Sequence, residues 1–168
     1  DTMVTAGEVL KAIGEHKASI VGIDVVGVGA GVADRVREMI GLLEIECTVF
    51  EINGGSSASD PKKWVNLNAE MADYVRKKIE EREVPLPDNE ILKEDLTFRK
   101  YRILSDRRFM LEKKEDFKKR MKRSPNYGDA YMYGLWVLQF ARDEIMHKET
   151  KVDHFRDNDK QETSYMAS

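Results

Sequence analysis

Cysteine is nearly absent: Cys47 is the only one in 168 residues, so no internal disulfide can form. It stands in an apolar alternating run and reads as a buried thiol of a reducing compartment. The three histidines, His16, His147 and His154, are scattered. Neither they nor Cys47 have the spacing of a zinc site, which argues against thiolate or imidazole ligation. No apolar run approaches the roughly 18 residues of a membrane span. The first residues lack the basic segment followed by an apolar stretch that marks a secretory signal. The glycines of Gly27-Val28-Gly29-Ala30-Gly31 miss the GxGxxG spacing of a dinucleotide site, and no Gly-Lys-Ser/Thr follows them. They read instead as a tight turn with close strand–helix packing. No internal repeat is present.

What remains is a chain long enough for one domain, with 41% hydrophobic and 35% charged residues. The formal net charge of −3 conceals an asymmetry. Between Arg99 and Arg123 twelve Lys or Arg face four acids, a local balance of +8 against −11 elsewhere. Such a block is either a phosphate-binding face or a solvated helix and hairpin. On the first reading Lys113, Lys118, Lys119, Arg120, Lys122 and Arg123 bind DNA, helped by Arg107 and Arg108, with an affinity that falls steeply with salt.

Periodicity supplies the elements. Thr5 with Glu8 has capping-box spacing, and Val9, Leu10 and Ile13 continue a helix to about His16. Ser19 to Asp24 is a short apolar run ending in an acid, a buried strand. The glycine-rich turn then leads into a helix through Val32, Val36, Met39 and Ile40. Ile45, Cys47 and Val49 alternate with polar residues as a second strand, expected parallel to the first. Asn53 to Ser59 is a loop, and Asp60-Pro61 has the form of an N-cap and first helical position. That helix is expected to run through Trp64, Leu67, Met71 and Tyr74 to about Arg82, with Trp64 and Tyr74 in the core. Glu90 to Leu96 suggests a short helix. Phe98–Leu104 and Arg108–Glu112 flank Ser105-Asp106-Arg107 as a hairpin. Lys114 to Lys122 is a short basic helix, and Asp129 to about Met146 a strongly apolar one. After His147 the chain turns polar and aperiodic, disordered or weakly helical.

Two acids stand where chemistry gathers. Asp24 ends a buried strand, and in open α/β sheets functional groups collect at the carboxyl ends of strands. There it either caps the following turn or binds a hard cation through oxygen. Asp129 opens the apolar helix, where the helix dipole favours an acid in any protein. If that helix packs flat on the sheet, its first turn brings Asp129 to the strand end carrying Asp24.

Four segments, in order, resemble a known family. Val21 to Asp34 (VGIDVVGVGAGVAD) resembles the fourth-strand motif of the nuclease domain of phage large terminase subunits. Asn53 to Pro61 (NGGSSASDP) resembles its glycine-rich loop, Asn68-Ala69-Glu70-Met71 the helix that follows, and Glu115 to Ala130 (EDFKKRMKRSPNYGDA) its closing motif. The resemblance covers about Thr2 to Leu138. It implies an α/β fold, a ribonuclease H-like mixed sheet flanked by helices, over residues 1–147, with 148–168 as a polar tail. It implies cleavage of concatemeric double-stranded DNA in a genome-packaging motor, with portal and small terminase subunit as partners, in the host cytoplasm. The family's site holds two Mg²⁺ or Mn²⁺ ions with three acids, on the first strand, the fourth strand and the last helix. Asp24 matches the second and Asp129 the third, so both are expected to be metal ligands and catalytic. The family's first strands precede the helix with which this sequence opens. The expected chain is therefore a fragment, half of a split protein, or a variant with another first ligand, its nuclease impaired when alone and restored by the N-terminal portion in cis or trans. The competing readings are a non-catalytic DNA-binding or assembly module, and another ribonuclease H-like enzyme such as a junction resolvase or transposase.

Overall fold

The computed structural model describes residues 1–141. The helix end expected at Met146 and the polar tail expected over 148–168 lie outside them. The elements are α1 (Thr2–His16), β1 (Ile20–Asp24), α2 (Gly29–Leu42), β2 (Thr48–Ile52), α3 (Leu67–Glu80), α4 (Glu90–Phe98), β3 (Tyr101–Ile103), β4 (Phe109–Leu111), α5 (Lys114–Met121) and a last helix, α6, described over 126–141. The chain divides into units Asp1–Val137 and Leu138–Ser168, and both Asp24 and Asp129 belong to the first.

β1 and β2 pair in parallel with Asp24 opposite Ile52, and among the described residues each has only the other as a neighbour. Successive side chains on a strand point to opposite faces, so this pair divides two cores. On one face Ile23 packs with Ala6 and Ile13 of α1 and Val32, Ala33 and Val36 of α2. On the other, Ile52 packs with Met71 and Val75 of α3 and Met132, Tyr133 and Val137 of α6. Gly22 lies under α6 on that second face: a β-carbon there would stand 2.9 Å from Ile52 Cδ1 and 3.2 Å from Val137 Cγ1. Asp24, two residues on, shares this face with Gly22 and Ile20.

The turn from β1 to α2 depends on glycine. A β-carbon on Gly29 would meet the Asp24 carbonyl oxygen at 1.8 Å, and Gly27 has φ of 67°. The tight-turn reading of these glycines holds, except that Gly29 and Gly31 already belong to the helix.

Several boundaries differ from expectation. Asp1 caps α1 through Met3 N–H, and Thr5 sits inside the helix with its hydroxyl on the Asp1 carbonyl. Cys47 precedes β2 and is half-buried against the first core, its thiol pushed up by that partial burial. The helix expected from Pro61 begins at Leu67. Asp60 instead closes a turn on Lys62 N–H, and Trp64 bridges in parallel to Phe109 of β4. Backbone bonds on either side of Trp64, Phe109 N–H to Lys63 and Val65 N–H to Phe109, hold it out of the helix. Asn66 then caps α3 through Ala69 N–H at 3.0 Å.

The loop 53–59 finishes that cap. Gly54 and Ser56 carbonyls accept from Asn68 and Leu67 N–H, and Glu70 reaches back to Ser59 N–H at 2.7 Å. The first-turn donors of a helix have no partner within it, so the loop and α3 satisfy each other. The hairpin forms as expected but shorter, with Arg107 in the left-handed region at φ of 68°.

Candidate active site

Asp24 and Asp129 converge on one ammonium. Lys114 Nζ lies 2.8 Å from Asp129 Oδ2 and 3.7 Å from Asp24 Oδ2. The two carboxylates are therefore no farther apart than those distances laid end to end. Three elements bring them together: the end of β1, the first turn of α6, and the first residue of α5.

Each acid also fills the role that local pattern gives it. Asp24 Oδ1 accepts Val26 N–H at 3.0 Å and steadies the turn after β1. Asp129 lies in the first turn of α6, where the helix dipole favours a negative charge. It is 4% exposed, and a carboxylate so buried needs partners. Arg99 Nη1 supplies one at Oδ1, with an Arg99 side chain only 8% exposed. Asp129 Oδ2 has no hydrogen bond of good alignment among the described residues, although Lys114 stands at ion-pair distance. Tyr133 donates its hydroxyl to Asp24 Oδ2 at 3.2 Å. Burial, then the charges of Asp129 and Asp24, push the Tyr133 phenol far above its usual range. Two carboxylates, two cations and one neutral phenol thus make a site with no net charge.

Sequence reasoning singled out both acids and missed Arg99, Lys114 and Tyr133. Tyr133 carried one signal: it lies four residues after Asp129 and so on the same helix face. Arg99 and Lys114 carried none beyond membership of the basic block.

The eight basic residues expected to bind DNA fall into two groups. Arg107, Lys113, Lys118, Lys119 and Lys122 are exposed. Of these only Lys119 has an ion-pair partner among the described residues, Asp116 at 3.7 Å. The others are engaged. Arg108 pairs with Asp106, Arg120 with Glu112 and the Phe98 carbonyl, and Arg123 with Glu94 and the fully buried Asp95. Lys118 stands one turn beyond Lys114 on α5, and Lys122 closes that helix.

Oxygen donors from two carboxylates suit a hard divalent cation. The poorly satisfied Asp129 Oδ2 fits that use, since it faces Asp24 Oδ2 across the single Lys114 ammonium. Among the described residues no third His, Cys, Asp or Glu joins the pair.

No family profile matches the chain, and no curated protein does. Solved structures do. The nuclease domain of the large terminase subunit gp2 of bacterial virus Sf6 aligns with a TM-score of 0.58 at 19% identity, over 76% of this chain and 69% of that one. A mutant of that domain with manganese aligns at 0.59 and 18%, over 76% and 70%. A mutant with calcium gives 0.59 and 18%, over 76% and 69%. At such identity the likeness is one of fold: a mixed α/β arrangement of helices and small sheets, six helices among the described residues.

Proposed function

We propose that this chain, folded like a terminase nuclease domain, is the metal-binding and DNA-binding part of an endonuclease that cuts concatemeric double-stranded DNA during phage genome packaging. The observation that carries the reading is the meeting of Asp24 and Asp129 at Lys114, a strand-end acid and a helix-start acid separated by most of the chain. That the related domains were solved with manganese and calcium supports a divalent ion here, Mg²⁺ or Mn²⁺.

Asp24 and Asp129 would hold that ion between them. When bound, divalent ions supply Lewis-acid stabilisation of the phosphate and of its leaving oxygen. The chain's own residues do the rest. Val26 N–H and Tyr133 orient the Asp24 carboxylate, and Arg99 fixes Asp129 from behind. Lys114 neutralises the pair and is the side chain that gives way or turns to a phosphate. Lys118 and Lys122 extend positive charge along α5, so a duplex lying on that helix has its backbone at the acids. A further carboxylate is needed to hold two ions. The edge of β1 beside Asp24, unpaired among the described residues, is where a strand carrying one can pair. Portal and small terminase subunit are partners on this reading, and the host cytoplasm its place.

Relaxation of supercoiled plasmid with Mg²⁺, Mn²⁺ or chelator tests it. The chain alone is expected to nick poorly or not at all. With an acid-bearing strand added at β1, in cis or as a separate chain, metal-dependent nicking is expected. Asp24→Ala or Asp129→Ala should then lower it by about a hundredfold or more, since losing even an outer-shell partner of a ligand costs about 10–100-fold. DNA retention without cutting in the extended protein would favour the non-catalytic binding module, the reading that the two-carboxylate count supports. Full cutting by either alanine variant would place the chemistry elsewhere.

A further inference from the structure

The helix that carries Asp129 starts at a residue that cannot cap it. Its first intrahelical bond runs from Asp129 N–H to the Pro125 carbonyl at 2.9 Å, which makes Pro125 the N-cap of α6. Proline has no side-chain acceptor, so it cannot do what Ser, Thr, Asp or Asn does at that position. The donor such a side chain would satisfy is Gly128 N–H, three residues on. Asp95 satisfies it instead. Its Oδ2 accepts Gly128 N–H at 3.0 Å, from α4, 33 positions back in the chain. The Asp95 side chain is fully buried, and its Oδ1 accepts from Arg123. The close approach depends on glycine: a β-carbon at 128 would stand 2.8 Å from Asp95 Cβ.

Arg99, at the C-cap of α4 and four residues after Asp95, holds Asp129 Oδ1. One helix end thus grips two successive residues of α6, a backbone amide and the carboxylate beside it. Asp95 fixes the height and rotation of the turn, and Arg99 fixes the side chain that projects from it. A carboxylate at a helix N-terminus is also favoured by the helix dipole, so charge reinforces the geometry. What the grip presents is the carboxylate that meets Asp24 at Lys114.

We infer that Asp95 is a positioning residue of the carboxylate pair: it caps α6 from α4 and so sets where Asp129 meets Asp24. The role rests on the reading that Asp24 and Asp129 hold a divalent ion, since it is exerted on a ligand of that ion.

The test compares two double variants of the whole chain, both without the ion pair of Asp95 and Arg123. Asp95→Asn/Arg123→Met keeps an acceptor oxygen for Gly128. Asp95→Leu/Arg123→Met keeps the shape and loses the acceptor. Mn²⁺ binding is measured by calorimetry, and the Asp129 carboxyl carbon is followed by NMR without metal. The asparagine variant should bind Mn²⁺ as the native chain does and keep the Asp129 resonance in place. The leucine variant should shift that resonance and bind roughly tenfold or more weaker, the usual cost of losing a group that orients a metal ligand. Pro125→Ser, added to the leucine variant, gives α6 a cap of its own and should recover affinity, which a general loss of packing would not allow. Should the leucine variant fail to fold, Asp95→Ala/Arg123→Met takes its place. Equal Mn²⁺ affinity of the two double variants, or an Asp129 resonance unmoved in the leucine variant, would overturn the role and leave the metal reading standing. A native chain that binds no Mn²⁺, or whose binding ignores Asp129→Ala, would overturn both.

Discussion

Tyr133 is where pH should act on this fold from the alkaline side. The residue is 9% exposed and its hydroxyl serves Asp24, so burial and two carboxylates oppose its ionisation. The folded chain keeps the phenolic proton above the pH at which the unfolded chain loses it. The stabilisation is therefore complete below about pH 10, the ordinary tyrosine value, and is lost as pH rises beyond it. Urea unfolding at neutral pH and above pH 10 should show this slope. Tyr133→Phe should flatten it and remove about 0.5–1.5 kcal/mol at neutral pH, the net value of one hydrogen bond. An unchanged slope would show that other groups set it. Gly128 offers a second test, in packing alone. A β-carbon there would stand 2.8 Å from Asp95 Cβ, and Gly128 N–H donates to Asp95 Oδ2 at 3.0 Å. Gly128→Ala should destabilise by about 1–3 kcal/mol, the usual cost of overpacking a tight site. A thermal midpoint equal to that of the native chain would mean that the first turn of α6 and Asp95 move apart freely. Gly128 does not announce itself in sequence, where it is one of eleven glycines, and Tyr133 does so only through its spacing from Asp129.

Among the elements, α5 is the one whose charges separate by role. Its exposed lysines face solvent, whereas Arg120, and Arg123 just after the helix, tie this segment to α4 and to Glu112 at the end of β4 through Phe98, Glu112, Glu94 and Asp95. Reversal of Lys113, Lys118, Lys119 and Lys122 to glutamate should abolish retention by duplex DNA at low salt. It should also reduce the salt slope by about 3–4 units, close to one for each phosphate no longer neutralised. The unfolding midpoint should stay put. Arg123→Ala should do the converse, lowering the midpoint because Asp95 is left buried without its cation. DNA binding unchanged in the four-lysine variant would make α5 an ordinary solvated face. Helix existence here was legible from period, but helix starts were less so. The expected start of α3 at Pro61 failed because Trp64 is drawn into a bridge with Phe109, a partner 45 positions away that no local window contains.

At the scale of the whole molecule, β1 and β2 each keep one unpaired edge among the described residues, and the edge of β1 is the one beside Asp24. Val25 N–H bonds to Ile52, so by strand alternation the amides of Gly22 and Asp24 face away from β2. In the chain alone those two amides should exchange rapidly with solvent. Pairing with an added strand should slow them, along with any gain in nicking. Activity restored without protection of Gly22 and Asp24 would mean that the missing ligand arrives by another route.

Local chemistry in the sequence determined the strand ending in Asp24, the glycine turn behind it, the hairpin, the basic helix, and the placing of Asp24 and Asp129 at element ends. Those features follow from alternation, period and turn geometry within a few residues. Only the tertiary structure decided that the two acids meet, and what they meet. Arg99 is 30 positions from Asp129, and Tyr133 is 109 from Asp24. Side chains that distant come together where the end of β1, the first turn of α6 and the first residue of α5 meet. Burial there then turns an ordinary arginine, lysine and tyrosine into the partners of two carboxylates, because a charge removed from water must find its counter-charge or hydrogen bond inside the fold.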